Sequence, residues 1–154
     1  MVQIRLAGRP DEKHITNLVK TMIGDNNPDQ VASDVVQDLF ENNKFLIFVV
    51  DNTLDILGFG VTKLEPFEGA NGVAEIVWLG VQSQYRKQGL GALIVMHIEQ
   101  HIVKQGIRKL YVKTNSDNVH AACFWIKQNY KFESRLLDFG GQRNDYYLFG
   151  KEIC

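Results

Sequence analysis

The stretch YRKQGLGAL (Tyr85–Leu93) decides how this chain is interpreted. It follows an apolar segment, VAEIVWLGV, and precedes a segment with helical periodicity. A helix that begins directly after such a loop directs free backbone N–H groups and its positive end toward the loop. Arg86 and Lys87 add positive charge, and the glycines let an anion approach the main chain closely. The loop therefore predicts either a pyrophosphate site or a simple tight turn into a helix.

Two common nucleotide-binding patterns do not fit this loop. The Rossmann fingerprint requires a third glycine where this chain has Ile94, and the Walker A pattern requires a Gly-Lys-Ser/Thr sequence that is absent. A nucleotide-binding protein of either type is therefore disfavoured.

The rest of the chain predicts alternating strands and helices. Proline and acidic residues at Pro10–Glu12 predict a helix start, and Asn118 predicts another as an N-cap. Gly106 and Asn129 are suited to left-handed residues just after helices. KFLIFVV is almost wholly apolar, which predicts a strand buried on both faces. The predicted order is β-α-α-β-β-β-α-β-α-β-β, an α/β domain with a mixed sheet.

Composition limits the class of protein. The 154 residues suggest one domain, 1–154, and a net charge of −1 argues against a nucleic-acid binder. No apolar run reaches the roughly 20 residues of a membrane helix, and MVQIRLAGRPDEK lacks a signal-peptide pattern. The two cysteines, Cys123 and Cys154, indicate neither a disulfide framework nor a zinc site. We expect a cytoplasmic protein without membrane partners, with Cys123 as a small buried helix residue.

Three motifs resemble the GNAT superfamily of N-acetyltransferases. RKQGLGA is similar to its Arg/Gln-x-x-Gly-x-Gly/Ala motif, NVHAACFWIKQNY to its second motif, and DYYLFGKEI to its last strand. The resemblance covers essentially the whole chain, and AEIVWLGV with the glycine loop also looks like the histone acetyltransferase branch. It implies a GNAT-like fold with splayed central strands and direct transfer of an acetyl group from acetyl-CoA to a primary amine.

The resemblance also implies where acetyl-CoA, the cosubstrate, is held. The pyrophosphate is expected at the backbone of residues 87–92, with Arg86 beside it, and the pantetheine arm at the main chain of Leu79 and Val81. The Leu79 N–H would also stabilise the oxyanion that forms at the thioester. Gly80 would remove a side chain at that close approach, or it marks a bulge. The full set of expected contacts is Leu79, Val81, Arg86, Lys87, Gln88, Gly89, Leu90, Gly91, Ala92, Asn115, Asn118 and Trp125.

Glu75 is the candidate general base. The acceptor amine is protonated at neutral pH, so its attack requires a base. If Ile76 and Trp78 point one way along the strand, then Val73, Glu75, Val77 and Leu79 point the other. Apolar surroundings favour the neutral form of a carboxyl group, which suits a group that must take up a proton. The alternative is a structural carboxylate satisfied by a nearby cation.

One departure from the family pattern concerns the departing thiolate. Many family members have a tyrosine in the second motif where this chain has Trp125, which cannot donate an acidic proton. Tyr130, Tyr146 and Tyr147 are possible substitutes. The departure also leaves open an inactive acyl-CoA-binding regulatory module.

The acceptor is the least determined part of the prediction. Residues 1–72 hold 11 acids and 6 bases, so this half could attract a cationic amine, or its acids are solvated helix faces. The resemblance implies an acceptor that is a protein lysine, a protein N-terminus or a small-molecule amine, and a monomer or homodimer. His97 and His101 lie four apart, but without a third ligand we predict no metal site. The acids considered are Asp25, Asp29, Asp34, Asp38, Glu41, Glu65 and Glu68.

Overall fold

The predicted element order is confirmed. The computed structural model describes residues 1–24 and 27–154. Within these residues the chain forms seven strands and four α-helices. Their bounds are β1 Gln3–Leu6, α1 Glu12–Met22, α2 Pro28–Glu41, β2 Phe45–Asp51, β3 Ile56–Leu64, β4 Val73–Val81, α3 Leu90–Ile102, β5 Lys109–Asn115, α4 Val119–Lys127, β6 Lys131–Leu136 and β7 Tyr146–Glu152.

The local signals at the helix ends act as predicted. The Asn118 side chain accepts a hydrogen bond from the Ala121 N–H at 3.1 Å and so caps α4. Gly106 and Asn129 have φ angles of 83° and 66°, and both lie just after helical segments. Pro10 lies in a 3-10 turn, Arg9–Asp11, that leads into α1.

One seven-stranded sheet carries the fold, in the order β1-β2-β3-β4-β5-β7-β6. All neighbouring strands are antiparallel except β4 and β5, which are parallel. One apolar cluster lies between the sheet and helices α3 and α4, and a second lies between the sheet and helices α1 and α2. Strand β2 contributes Phe48 to the first cluster and Val49 to the second, so it is buried on both faces as predicted.

Helix α3 packs unusually close to β3 because β3 has glycines where the helix crosses it. A Cβ atom at Gly60 would lie 2.6 Å from Ile94 Cγ2 and 3.0 Å from Ile98 Cδ1. A side chain there would force the Ile94 and Ile98 side chains, or the helix itself, to shift. The absence of a side chain at Gly60 therefore allows the close packing of α3 on β3, which in turn fixes the position of the loop that precedes α3.

A β-bulge in β4 changes which side chains face which helices. The pairing with β3 shifts between Ile76 and Trp78, and Val77 is the extra residue. Ala74 and Ile76 belong to the cluster under α3, as does Leu79 beyond the bulge, whereas Val77 and Trp78 pack on the opposite cluster. The expected alternation, with Ile76 and Trp78 on one face and Leu79 on the other, is therefore wrong.

The central strands splay, as the family resemblance implied. Strands β4 and β5 pair only at Val73–Lys109, Ala74–Leu110 and Glu75–Tyr111. Beyond this point β4 runs on to Val81 and β5 to Asn115 without pairing to each other. We call this opening the fork, and it begins at Glu75.

Candidate active site

A cleft of about 1060 Å³ opens at the fork and extends between α3 and α4. Its walls include the unpaired parts of β4 and β5, the loop before α3, and one side of α4. The cleft brings together nearly all of the residues that the sequence predicted to contact the cosubstrate. Those that line it are Leu79, Val81, Arg86, Lys87, Gly89, Leu90, Gly91, Ala92, Asn115, Asn118 and Trp125.

The glycine loop presents a row of unused N–H groups to the cleft. Gly89 is the N-cap of α3 with φ at 82°, and Lys87 also has a positive φ, 60°. The first helical hydrogen bond runs from the Leu93 N–H to the Gly89 carbonyl at 3.0 Å. Across residues 1–24 and 27–154, the backbone N–H groups of 87–92 have no recorded partner outside the helix. These donors and the helix dipole form a ready site for a phosphate group.

Two side chains of the loop donate hydrogen bonds to backbone carbonyl groups of the protein. Arg86 Nε donates to the Val81 carbonyl at 3.1 Å, which ties the loop to the end of β4. Gln88 Nε2 reaches the Gln84 carbonyl at 3.3 Å, and Gln88 does not line the cleft. If Gln88 contacts a ligand, the contact would therefore have to come from its backbone N–H.

The free edge of β4 also presents donors. The Gln82 N–H bonds to the Leu57 carbonyl at 2.8 Å, so these two residues form a hydrogen-bonded pair of the β3–β4 ladder. Such pairs alternate along an antiparallel ladder with pairs whose N–H groups point away from the partner strand. The register is regular from Gly58–Val81 to Gly60–Leu79. Leu79 and Val81 therefore direct their N–H groups away from β3 and into the fork.

Glu75 lies at the base of the fork with 8% of its surface exposed. Its carboxylate accepts a hydrogen bond from the Tyr111 hydroxyl at 2.9 Å and pairs with Lys113 Nζ at 3.1 Å. Burial, with the adjacent Glu75 charge, raises the pKa of Tyr111 above its usual range. Of the apolar residues expected on the face of Glu75, Val77 lies there, but the bulge places Leu79 on the other face, and β5 supplies two polar partners. Glu75 does not itself line the cleft, whereas Lys113 does.

Tyr111 and Lys113 are the residues that sequence reasoning missed. Both lie in KLYVKT, where Leu110 and Val112 alternate with them and pack on the cluster under α3. That alternation places both polar side chains on the opposite face, where Glu75 lies. The signal was present in the strand itself, but the register of β4 against β5 was needed to use it.

Gly80 lines the cleft, but the side chain that it lacks would point toward the end of α1. A Cβ atom there would lie 2.6 Å from Met22 Sδ and 3.0 Å from Phe59 Cε1. The missing side chain therefore makes room for the end of α1, and the bulge itself lies at Val77. The absent side chain at Gly80 thus serves helix packing.

Trp125 is buried, with 4% of its surface exposed, and its ring packs on Tyr130 at 5.0 Å between centroids. Of the three candidate substitute tyrosines, only Tyr146 lines the cleft. The Tyr130 hydroxyl instead donates to Glu99 at 3.0 Å, and burial, together with the Glu99 charge, raises the pKa of Tyr130.

Cys123 is exposed, so its prediction as a buried helix residue is wrong.

Of the acidic residues considered for the acceptor, those that the structure describes do not line this cleft. Asp34 and Asp38 are exposed on α2, as the alternative of solvated faces predicted, and Asp29 pairs with Lys20 at 3.0 Å. Glu65 and Glu68 line a different cavity, and Asp25 lies outside the described residues.

The two histidines of α3, His97 and His101, pack edge-on against Phe48, at 5.7 and 5.2 Å between ring centroids.

Residues 1–24 and 27–154 contain neither a cluster of metal-ligating side chains nor a helix that could span a membrane. No three His, Cys, Asp or Glu side chains in this part of the chain come together as metal ligands. None of its helices is long and apolar enough to cross a membrane.

Comparison with known proteins places the chain among acetyltransferases. The model of the acetyltransferase (GNAT) family matches residues 15–130. N-alpha-acetyltransferase 60 of Xenopus tropicalis is 25% identical over 130 residues, covering 73% of this chain and 54% of that protein. The chain thus spans about half the length of the curated relative it matches.

Solved structures show the same fold. A putative acetyltransferase of the GNAT family from Desulfovibrio desulfuricans superposes with a TM-score of 0.86 over the whole of both chains, at 17% identity. Arabidopsis thaliana NAA60 in complex with acetyl-CoA superposes with a TM-score of 0.80 over 99% of each chain, at 18% identity.

Proposed function

The chain belongs to the GNAT acetyltransferase family, and we propose that its residues 1–154 form a single domain that transfers an acetyl group from acetyl-CoA directly to a primary amine. The observation that carries the proposal is the cleft at the fork, which joins an anion-binding loop to free N–H groups of β4. A long ligand with a pyrophosphate at one end and amide groups along its arm suits these donors.

The loop and the strand edge divide the binding of acetyl-CoA between them. The N–H groups of residues 87–92 and the helix dipole bind the pyrophosphate, and Arg86 lies beside it. The N–H groups of Leu79 and Val81 bind the pantetheine arm as an added strand would, since β5 has left that edge unpaired. Asn115 and Asn118 line the same cleft, although the Asn118 side-chain oxygen already caps α4.

Glu75 acts as the general base and the Leu79 N–H as the oxyanion donor. Glu75 lies where the fork begins, and the Leu79 N–H points into the fork from the same strand. The base takes a proton from the amine, directly or through one water, while the N–H bonds to the thioester oxygen as charge develops there. Tyr111 and Lys113 hold the carboxylate in place through its two oxygens.

Tyr146 is the group that replaces the missing tyrosine of the second motif. It is the one candidate tyrosine in the wall of the cleft, and Asn115 opposite it on β5 also lines the cleft. A phenol there donates a hydrogen bond or a proton to the departing thiolate. Trp125 is buried and forms part of the cleft wall, where it contributes apolar surface and no proton.

The acceptor that fits best is the α-amino group of a protein N-terminus. The Lys113 ammonium stands at the fork and opposes the approach of a second cation. An α-amino group, with a pKa near 8, is neutral at pH 7 far more often than a lysine side chain, with a pKa near 10.4. The similarity to N-alpha-acetyltransferase 60 supports the same choice over lysine or a small-molecule amine.

Release of free thiol from acetyl-CoA, measured across peptides with free N-termini, lysine peptides and small amines, tests this function. We expect peptides with a free N-terminus to be turned over fastest. Glu75→Gln should lower kcat by about 10²–10⁴-fold. Glu99→Gln is the matched control, because Glu99 also bonds to a tyrosine (Tyr130, 3.0 Å) and a lysine (Lys151, 2.9 Å) but lies away from the fork.

The alternative function is an inactive acyl-CoA-binding module. It is considered because Trp125 stands where many family members have a proton-donating tyrosine. It predicts tight binding of acetyl-CoA by calorimetry and no thiol release with any amine. An active wild type with an unaffected Glu75→Gln variant would instead remove Glu75 as the base and leave the transferase assignment standing.

A further inference from the structure

Lys113 places a primary amine beside the candidate base. Its Nζ lies 3.1 Å from Glu75 Oε1 and 5.1 Å from the centre of the Phe139 ring. The side chain is 28% exposed. A lysine that served only to anchor a carboxylate would not need to line the ligand cleft, yet Lys113 lines it.

The position of Lys113 on β5 puts this amine inside the fork. Strands β4 and β5 separate after Glu75 and Tyr111, and Lys113 is two residues beyond Tyr111 on the same face. Its side chain spans the gap back to β4, where Glu75 lies. The cleft that Lys113 lines is also the one into which Leu79 and Val81 direct their N–H groups. An amine and an oxyanion donor therefore line one cavity within a single chain, and the base lies 3.1 Å from that amine, just behind the wall of the cavity.

We propose that Lys113 is itself an acetyl acceptor, so that the chain acetylates its own Lys113 from acetyl-CoA. This rests on the proposed function, because it uses the same donors and the same base. Proximity favours it, since an amine held within the cavity needs no encounter with a second molecule.

The chemistry balances without another reactant. Glu75 takes one proton from the Lys113 ammonium, and the neutral Nζ attacks the thioester carbonyl carbon. A C–N bond forms, the C–S bond breaks, and the departing sulfur leaves with the second proton as the free thiol. The proton held by Glu75 passes to solvent, so an ammonium and a thioester become an amide, a thiol and one released proton.

The product differs from the starting state in charge at the fork. The amide of acetyl-Lys113 carries no cation, so Glu75 loses its ion-pair partner and keeps only Tyr111. The opposition to a cationic acceptor disappears with that charge. After Lys113 is acetylated, the fork should therefore admit cationic acceptors that the unmodified protein disfavours.

Incubation of the purified chain with acetyl-CoA and no amine tests the proposal by mass spectrometry. We expect one acetyl group per chain, mapped to Lys113 by peptide sequencing, with one equivalent of thiol released. Lys113→Arg keeps a positive charge but has no amine, and we expect it to release no such equivalent.

Lys109 is the internal control for spontaneous acetylation. It lies on the same face of β5 with the same side-chain exposure, 28%, and pairs with Glu133 at 2.6 Å, but it is not part of the cleft. Equal labelling of Lys109 and Lys113 would overturn the proposal. Unchanged labelling of Lys113 in Glu75→Gln would also overturn it, because the step uses that base.

Turnover of an external amine separates this proposal from the proposed function. A wild type that acetylates a peptide but leaves Lys113 unmodified would refute self-acetylation alone. A wild type that neither turns over an amine nor labels Lys113 would refute both.

Discussion

Replacing Leu79 with proline would remove a single hydrogen-bond donor from the fork. The alternation of the β3–β4 ladder places the Leu79 N–H away from β3, so proline there breaks no ladder bond. Proline is tolerated in a strand where its missing N–H faces away from the partner strand. Leu79→Pro therefore removes the proposed oxyanion donor with little direct damage to the sheet.

The expected decrease in kcat follows from the free energy that one oxyanion hydrogen bond contributes to the transition state. Removal of an oxyanion-hole hydrogen bond typically lowers kcat by about 10²–10³-fold, or ~2.7–4 kcal/mol. The assay is thiol release at saturating acetyl-CoA and peptide, so that the change is read in kcat. Circular dichroism and a urea titration of each variant check that the protein is folded.

Leu79→Ala is the matched control. It loses at least as much packing against the cluster under α3 as the proline variant does, but it retains the N–H. The ratio of the kcat values of the alanine and proline variants therefore measures the contribution of the N–H group at position 79. Equal turnover of the proline and alanine variants, both folded, would show that the Leu79 N–H does not stabilise the reaction.

Three further outcomes are expected. Gly60→Ala should lower the free energy of unfolding by about 1–3 kcal/mol in urea titrations, because its Cβ would meet α3, whereas Gly24→Ala, with no atom within 4 Å, should change little. Arg5 lowers the pKa of Asp11, so the stability that this ion pair contributes is present above the unfolded pKa of about 3.9 and is lost as pH falls through the lowered pKa of the folded protein. Arg5→Met should therefore destabilise the protein at pH 7 by about 1–3 kcal/mol, less than a fully buried pair would give because Arg5 is partly exposed, and the difference from the wild type should shrink as pH falls through the lowered pKa of Asp11. Tyr146→Phe should lower kcat at least tenfold without changing acetyl-CoA affinity; an unchanged kcat would exclude the tyrosine as proton donor.

The order and ends of the elements could be predicted because their causes are local. Asn118 caps α4 through a bond three residues away, and Gly106 and Asn129 end helical segments through their own φ angles. The apolar run of β2 likewise shows that both of its faces are covered. Such signals need no knowledge of which other segment packs nearby.

The faces of β4 could not be predicted because a bulge depends on the partner strand. Strict alternation held only up to Ile76, and the shift at Val77 arises in the pairing with β3. Strict alternation placed Leu79 on the face of Glu75, whereas the structure places it on the other face and gives Glu75 the polar partners Tyr111 and Lys113. A single extra residue thus changed the surroundings of the proposed base.

The sequence by itself determined the element order, the glycine loop and the family to which these belong. Each depends on residues close together in the chain, which set helix ends, turns and strand periodicity. Only the tertiary structure decided which groups meet at the fork. The parallel register of β4 and β5 brings Tyr111 and Lys113 to Glu75, and the antiparallel register of β3 turns the Leu79 N–H into the cleft. Contacts between distant strands depend on pairing and packing across the whole sheet, which no local pattern specifies.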